Sequence, residues 1–331
     1  MWFFNDSFYG NNKPESNVFP GGKFVRNAVV VQNTDGSLHS LPVTNQGGQN
    51  TYFRIPDEDV IYNTPGNPGS GVKNCFWVGD ALMENDTVKV YLIEVYGEDR
   101  SYLGKFTYPE LEFVGIEEQE PFCRRYEKFF VDEEEGMVYL YQNGGSGFRR
   151  TMMAAKCELG DMNGKKGTWR FWDGTGWNTQ DKGYEVSERG SDDIKKLGPG
   201  NYVQIAMPVM SPEVYVLFAP APEGPWGHEK LVNIGDRSAN FWYYMPNLHG
   251  RLANGKYSIS MSANYHGCLF FCKDCENKLY TDKYWYRQRY IHVDLLGLSP
   301  YTTNLEDCAG VANGTAYFDE CGECVGGTTG K

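Results

Sequence analysis

"NCFWVGDALMENDTVKVYLIEV" (residues 74–95) reads as a strand, a turn at Glu84–Asp86 and a second strand. Aromatic and β-branched residues dominate both runs, and such side chains pack well on a pleated surface. The second run, "KVYLIEVYG" (89–97), has counterparts in "GMVYLYQNGG" (136–145), "EVYVLFAPAP" (213–222) and "GKYSISMSAN" (255–264). Each breaks into a polar or Gly/Pro turn. A further strand follows each time: "YLGKFTY" (102–108), "RRTMMAAKC" (149–157), "HEKLVNI" (228–234) and "CLFFC" (268–272). The opening "MWFFNDSFYG" (1–10) with "FVRNAVVVQ" (24–32) makes a fifth unit.

Strand–turn–strand units that recur without intervening helical periodicity predict an all-β chain built as a five-bladed β-propeller over residues 1–300. A β-sandwich is the alternative, since it too strings together short strands. Residues 301–331 form a short irregular tail rich in Cys, Asp and Gly.

Composition agrees with that class. Of 331 residues, 15% are aromatic, and 39 Gly and 16 Pro supply turns for many short connections. The formal net charge of -12 argues against nucleic acid, whose phosphates need clustered cations. A neutral ligand such as a sugar fits better. No run of about 18 apolar residues could span a membrane, and "MWFF" lacks the basic and apolar regions of a signal peptide. Nine cysteines, three of them in the last 24 residues, point to an oxidising compartment.

Aligning the units sets Asp6 opposite Glu94, Gln142 and Asn264 (or Ala263), so that polar groups recur at one radial position and could line a central funnel. On this alignment the chain begins inside the second strand of its first unit. Blade 1 is therefore expected to lack its first strand, and the chain to be a fragment, because such a blade would leave a raw edge.

Glycoside hydrolysis needs two carboxyl groups flanking a sugar bond. Asp6, Asp80 and Glu94 are the first candidates, because they fall near equivalent positions in adjacent units. Glu188 and Asp192 or Asp193, in "SERGSDD", are further options. A carboxyl held among Trp and Phe would be desolvated and its pKa raised toward that of an acid catalyst. The competing reading is that Asp6 and Asp80 cap turns. Arg26 and Asn27 follow on the next strand, where an Arg could hold a sugar hydroxyl or orient a carboxylate. His249 and His266 follow aromatic strands of the last unit, and Trp77 is one of several flat faces for a sugar ring.

"HGCLFFCKDCENK" carries Cys268, Cys272 and Cys275 at C-x3-C-x2-C spacing. An iron–sulfur cluster would want βα alternation, which is missing, so a disulfide is the default and zinc lacks a clear fourth ligand. Phosphate loops, dinucleotide fingerprints, Gly-x-Ser-x-Gly elbows and His-Glu-x-x-His motifs do not occur.

Taken together, "WFFNDSFYG", "VRNAVVVQ", "FWVGDALMENDTVKVYLIEV", "APAPEGPW", "YSISMSANYHG" and "YRQRYIHVDL" resemble secreted five-bladed propellers related to glycoside hydrolases, across roughly residues 1–298. The nearest named group contains bacterial endo-D-arabinanases. In that group two acidic residues, one from each of two strands, form the presumed catalytic pair. Asp6 matches the second, with Asn5 in place of the usual Gly, and the first would lie upstream of Met1. The resemblance implies a polysaccharide or oligosaccharide partner in the funnel, and the residues whose type and position suit contact with it are Arg26, Asn27, Trp77, Gln142, Asn264 and His266. It also allows that this chain is inactive, or that it is a non-catalytic carbohydrate-binding or scaffold propeller.

The tail "DCAGVANGTAYFDECGECVGGTTG" (307–330) resembles linker repeats of secreted polysaccharide-degrading bacterial proteins. That likeness implies a further module C-terminal to it and one disulfide among Cys308, Cys321 and Cys324. It also implies calcium held by oxygen ligands such as Asp307, Asn313 and Asp319. No cofactor besides calcium is implied.

Overall fold

The computed structural model describes residues 1–5, 7–9, 23–33, 35–46, 49–56, 74–95, 100–145, 150–208, 213–232, 234, 241–265 and 286–301, with 308–309, 311, 316–318 and 323–330 of the tail. Asp6, His266, Cys268, Cys272, Cys275, Asp307, Asn313 and Asp319 lie outside the described residues.

The chain opens with β1 (Trp2–Phe4), β2 (Ser7–Tyr9), β3 (Lys23–Val25), β4 (Ala28–Gln32), β5 (Leu38–Ser40), β6 (Thr44–Gln46) and β7 (Gln49–Thr51). Blade 1 has the order β1-β4-β5, and beside it β2, β3, β7 and β6 form a small separate sheet. Phe4 pairs with Ala28 and Ser7 with Val25, so β1–β2 and β3–β4 are two halves of one long hairpin, interrupted after Phe4 and at residues 26–27. Blade 2 follows as β8 (Cys75–Glu84), β9 (Thr87–Val95), β10 (Ser101–Thr107) and β11 (Phe113–Glu118), in chain order across the sheet. Its first turn is as short as the sequence suggests, and Asn85 takes the left-handed conformation (φ 49°) that Asn tolerates and a tight hairpin turn demands.

Blade 3 comprises β12 (Lys128–Asp132), β13 (Met137–Gly144) and β14 (Thr151–Glu158), widened by β15 (Arg170–Trp172) and β16 (Trp177–Asn178), with β17 (Glu185–Ser187) also on β14. Blade 4 is β18 (Asp193–Gly198), β19 (Asn201–Ala206), β20 (Val214–Ala219) and β21 (Gly227–Val232). Blade 5 is β22 (Phe241–Arg251), β23 (Tyr257–Tyr265) and β24 (Tyr286–Val293), followed by a short helix α1 (Leu295–Leu298) whose first turn is capped by the Asp294 carboxylate. In the tail, β25 (Tyr317–Phe318) pairs β26 (Cys324–Val325), and Cys308 is bonded to Cys324.

These five sheets stand around an axis as a five-bladed β-propeller. The first strands β8, β12 and β18 each adjoin the first strand of the next blade, so they and β22 line the axis. β1 completes that ring: the Asn5 amide brackets the backbone of Val78 on β8, and the Trp2 ring lies 5.6 Å from His249 on β22. The opening stretch therefore supplies the first strand of its blade, where the alignment of the units placed it second. Hairpin periodicity reports that two strands pair, and carries no mark of which one faces the axis. Blade 1 is indeed one strand short of blade 2, on its outer side among the described residues.

The core lies between blades. Val29, Phe53, Phe76, Leu92 and Phe106 pack blade 1 on blade 2; Tyr91, Leu103, Phe129, Leu140 and Trp169 pack 2 on 3. Phe130, Tyr141, Ile194 and Tyr202 join 3 to 4, and Val203, Phe218, Leu248, Ile259 and Met261 join 4 to 5. Each such side chain contributes about 1.5–3 kcal/mol on burial, so face-to-face packing of adjacent sheets holds the ring and leaves its axis free for polar groups.

Candidate functional site

β8 carries a bulge between Val78 and Ala81, where its pairing with β9 slips. Bulges re-aim side chains, and this one presents Asp80 to the neighbouring blade. The Asp80 N–H donates to the Glu127 carbonyl (3.1 Å), and the Asp80 carboxylate accepts from the Phe129 N–H (3.1 Å). So close an approach needs Gly79: a Cβ there would stand 2.9 Å from the Glu127 carbonyl oxygen.

Glu127 and Lys128, in "YEKFF", enter β12 at this point. Burial raises the Glu127 pKa, against the opposing pull of the Lys128 and Arg125 charges, while the nearby Asp80 adds to the rise. Lys128 holds its ammonium 3.9 Å from the Asp80 carboxylate. Burial works against its charge, but Asp80, Asp193, Glu127 and Asp192 outweigh burial and raise its pKa.

The fourth blade repeats the device. Asp193, on β18 and almost fully buried, accepts from its neighbour's N–H at Ile194 (2.7 Å) and from Leu248 on β22 (2.6 Å), with Lys195 at 3.6 Å. Asp192 is paired with Arg150 (3.0 Å) and accepts from the Met207 N–H (2.8 Å). Burial raises the pKa of both acids, opposed by Lys195 at Asp193 and by Arg150 at Asp192. His249 bonds Ser260 (2.7 Å), and burial with the Lys195 charge lowers its pKa. An acid on a first strand thus stitches blade 2 to blade 3 and blade 4 to blade 5, and Asn5 does the same from blade 1 to blade 2. Among these groups Glu127 is the acid whose carboxyl has no hydrogen bond among the described residues, and burial favours its protonated form.

The residues singled out from the sequence divide by strand. Asp80 is on the axis. Glu94 sits on β9, a second strand, fully buried and held by Arg100 (2.9 Å) and Asn74 (3.0 Å). Gln142 on β13 and Asn264 on β23 occupy second strands as well, so these three are equivalent to one another and not to a residue following β1. Asn27 is buried, and its amide is fully used: it donates to the carbonyls of Phe53 and Phe76 and accepts from the N–H groups of Tyr52 and Phe53. It clamps blade 1 to blade 2. Arg26 beside it is half-buried. Trp77 is half-buried on β8 with its indole N–H unbonded among the described residues, and Glu188 is exposed before β18. Glu127 and Lys128 were not singled out. Their signal was an acid–base pair at the start of β12, one of the first strands that the repeat alignment passed over. Among the described residues no group of three His, Cys, Asp or Glu side chains could hold a metal ion.

Over residues 1–293 the sequence matches the profile of a family described as a domain of unknown function, DUF5005. The chain belongs to that family. No curated protein matches this DUF5005 sequence. Among solved structures it is similar in fold to a "putative hydrolase" from Bacteroides ovatus ATCC 8483, with a TM-score of 0.61 and 19% identity, covering 88% of this chain and 81% of that one. CoXyl43, a GH43 β-xylosidase/α-arabinofuranosidase from a compost microbial metagenome, aligns with a TM-score of 0.44 and 11% identity over 91% and 83% of the two chains. An exo-β-1,3-galactanase from Phanerochaete chrysosporium aligns at 0.42 and 13% over 75% and 55%. No helix among the described residues is long and apolar enough to cross a membrane.

Proposed function

We propose that this DUF5005 protein is a secreted, glycoside hydrolase-like propeller that binds an oligosaccharide or polysaccharide across the mouth of its axis and cleaves it. One observation carries the reading: where the first strands of blades 2 and 3 meet, the Glu127 backbone carbonyl takes the Asp80 N–H and Lys128 stands 3.9 Å from the Asp80 carboxylate, and burial raises the Glu127 pKa there. In this reading Glu127 gives its proton to the leaving sugar oxygen. Asp80, fixed by the Phe129 N–H and Lys128, contributes the negative charge that favours a protonated Glu127. Asp6, two residues past the axial strand β1 in the chain, is the candidate for the second carboxylate. Likeness of fold to a protein described as a hydrolase supports the class of reaction. The resemblance to endo-D-arabinanases makes arabinofuranose polymers the first substrates to try, and calcium in the tail and a module beyond it belong to the same proposal.

A non-catalytic carbohydrate-binding propeller is favoured by one feature, the confinement of Asp80 and Glu94 to ion pairs of their own. Reducing-end release from a panel of arabinans, xylans and galactans, by wild type and by Glu127→Gln and Asp6→Asn, separates the two. Release that falls at least about 100-fold in Glu127→Gln supports hydrolysis with Glu127 as acid. Equal release by wild type and Glu127→Gln removes Glu127 from the mechanism, and equal release by Asp6→Asn removes Asp6. Sugar retention with no release by wild type supports the binder.

A further inference from the structure

The joins between blades are not alike. Buried apolar clusters fill four of them, 1–2, 2–3, 3–4 and 4–5, and among the described residues no such cluster spans blades 5 and 1. Strand register accounts for the difference, because alternate residues of a strand share a face. On blade 5, Leu248, Ile259 and Met261 pack toward blade 4. The opposite face therefore carries Ser258, Ser260 and Ser262 of β23, paired with His292, Tyr290 and Gln288 of β24. On blade 1, Phe3 and Val29 pack toward blade 2, so Trp2 looks back toward blade 5, with Gln32 two residues beyond its partner Val30. None of these seam-facing positions holds an Asp, Glu, Lys or Arg, in a chain of net charge -12.

Three rings cross the seam in a row. The Trp2 ring is 5.6 Å from that of His249, and His249 is 6.2 Å from Tyr290. Hydrogen bonds fix the row: His249 Nε2 bonds the Ser260 hydroxyl (2.7 Å), and Trp2 Nε1 donates to Gln32 Oε1 (3.0 Å). The Gln32 side chain makes no other hydrogen bond among the described residues. Ser260 is buried under the row, whereas Gln32, Gln288 and His292 are exposed and Tyr290 is 55% exposed. Burial and the Lys195 charge lower the His249 pKa, so this ring is uncharged at neutral pH. The seam thus keeps aromatic surface and uncharged hydrogen-bonding groups in contact with water. A sugar ring, with a face of C–H groups and a rim of hydroxyls, matches both; a phosphate or uronate polymer would find no cation here. We propose that the seam between blades 5 and 1 is a binding site for a neutral glycan, whose sugar ring lies on Tyr290 beside the Trp2–His249 pair while its hydroxyls bond Gln32 and Gln288. This site deepens the reading of the protein as a carbohydrate-binding propeller and rests on it.

The test follows the histidine ring resonances of the full chain by 1H–15N correlation while neutral arabino-, xylo- and galacto-oligosaccharides are titrated in, with oligogalacturonate as the acidic control. His249 is assigned by elimination, the other four histidines being replaced in turn. A neutral sugar is expected to move the His249 signals and to leave those of His228, which packs on Tyr301 (5.6 Å) beside blade 4, in place. Tyr290→Ala, a change at an exposed side chain that the fold tolerates, should weaken the titration at least about tenfold, as loss of an aromatic anchor does. Tyr290→Phe keeps the ring and should stay within about threefold of wild type. Four results overturn the proposal: no binding by any neutral probe, binding that leaves His249 unmoved, an unchanged midpoint in Tyr290→Ala, or a preference for oligogalacturonate. Reducing-end release is measured on the same proteins. A wild type that binds at His249 and releases no sugar fails the cleavage reading and keeps this site. A wild type that releases sugar with His249 unmoved, and does so equally in Tyr290→Ala, does the reverse.

Discussion

Asn27→Ala would test how blade 1 is held to blade 2. The wild-type amide makes four hydrogen bonds in a fully buried position: donation to Phe76 (3.0 Å) and Phe53 (3.4 Å), acceptance from Phe53 (2.7 Å) and Tyr52 (2.9 Å). The four are unequal once removed. The Tyr52 N–H also reaches the Asn27 backbone carbonyl (3.1 Å), and the Phe53 carbonyl also accepts from Thr51 (2.7 Å), so those groups keep partners. The Phe53 N–H and the Phe76 carbonyl are left without the bonds described here. An abandoned buried group costs about 1–3 kcal/mol, so the two together give about 2–6 kcal/mol. Urea unfolding followed by tryptophan fluorescence should show a lower midpoint with an unchanged slope. Asn27→Asp keeps the acceptor but turns a carboxylate oxygen toward two carbonyls, so it should be worse than Ala at neutral pH and recover in acid. A loss below about 1 kcal/mol for Asn27→Ala would mean that water replaces the amide, and the clamp argument would fall.

Two further outcomes follow from the same geometry. Gly79→Ala should cost about 1–3 kcal/mol, because its Cβ meets the backbone oxygen of Glu127 at 2.9 Å, whereas Gly250→Ala, with nothing within 4 Å, should stay within about 0.5 kcal/mol; equal denaturation midpoints for the two would refute it. Burial would raise the Glu117 pKa, but Lys105 and Lys165 outweigh it and hold the carboxyl down to about 2. Because the folded value lies below the unfolded one, this contribution is present at neutral pH and is lost as pH falls from the ordinary carboxylate range toward about 2. Lys105→Met should therefore move the acid-unfolding midpoint upward, read by circular dichroism, while leaving stability below pH 2 unchanged.

Strand recurrence carried the fold because pairing and turns are local. The Asn85 turn, β8–β9 and the succession of hairpins all follow from short-range chemistry. Radial position is not local, and this is where the reading of the site divided. Asp80 was legible as an acid on a first strand, whereas Glu94 stood out only because "YLIEVY" repeats well, and it proved to be on a second strand. Glu127 precedes a five-residue strand in a blade whose strongest repeat is its second strand, so nothing in periodicity marked it. Asn27 looked like a ligand-binding amide for the same reason that it is a clamp: a polar side chain interrupting an apolar strand must satisfy something, and the sequence does not say what.

Each blade is drawn from a single stretch of chain, and among the described residues no strand of blade 1 is shared with blade 5. Among the described residues the circle is thus closed by a clasp of rings, Trp2 against His249, with no strand pairing across the gap. Under tension, or in the early moments of unfolding, that clasp is the place where the wheel would part, opening sideways while its other spokes keep their grip.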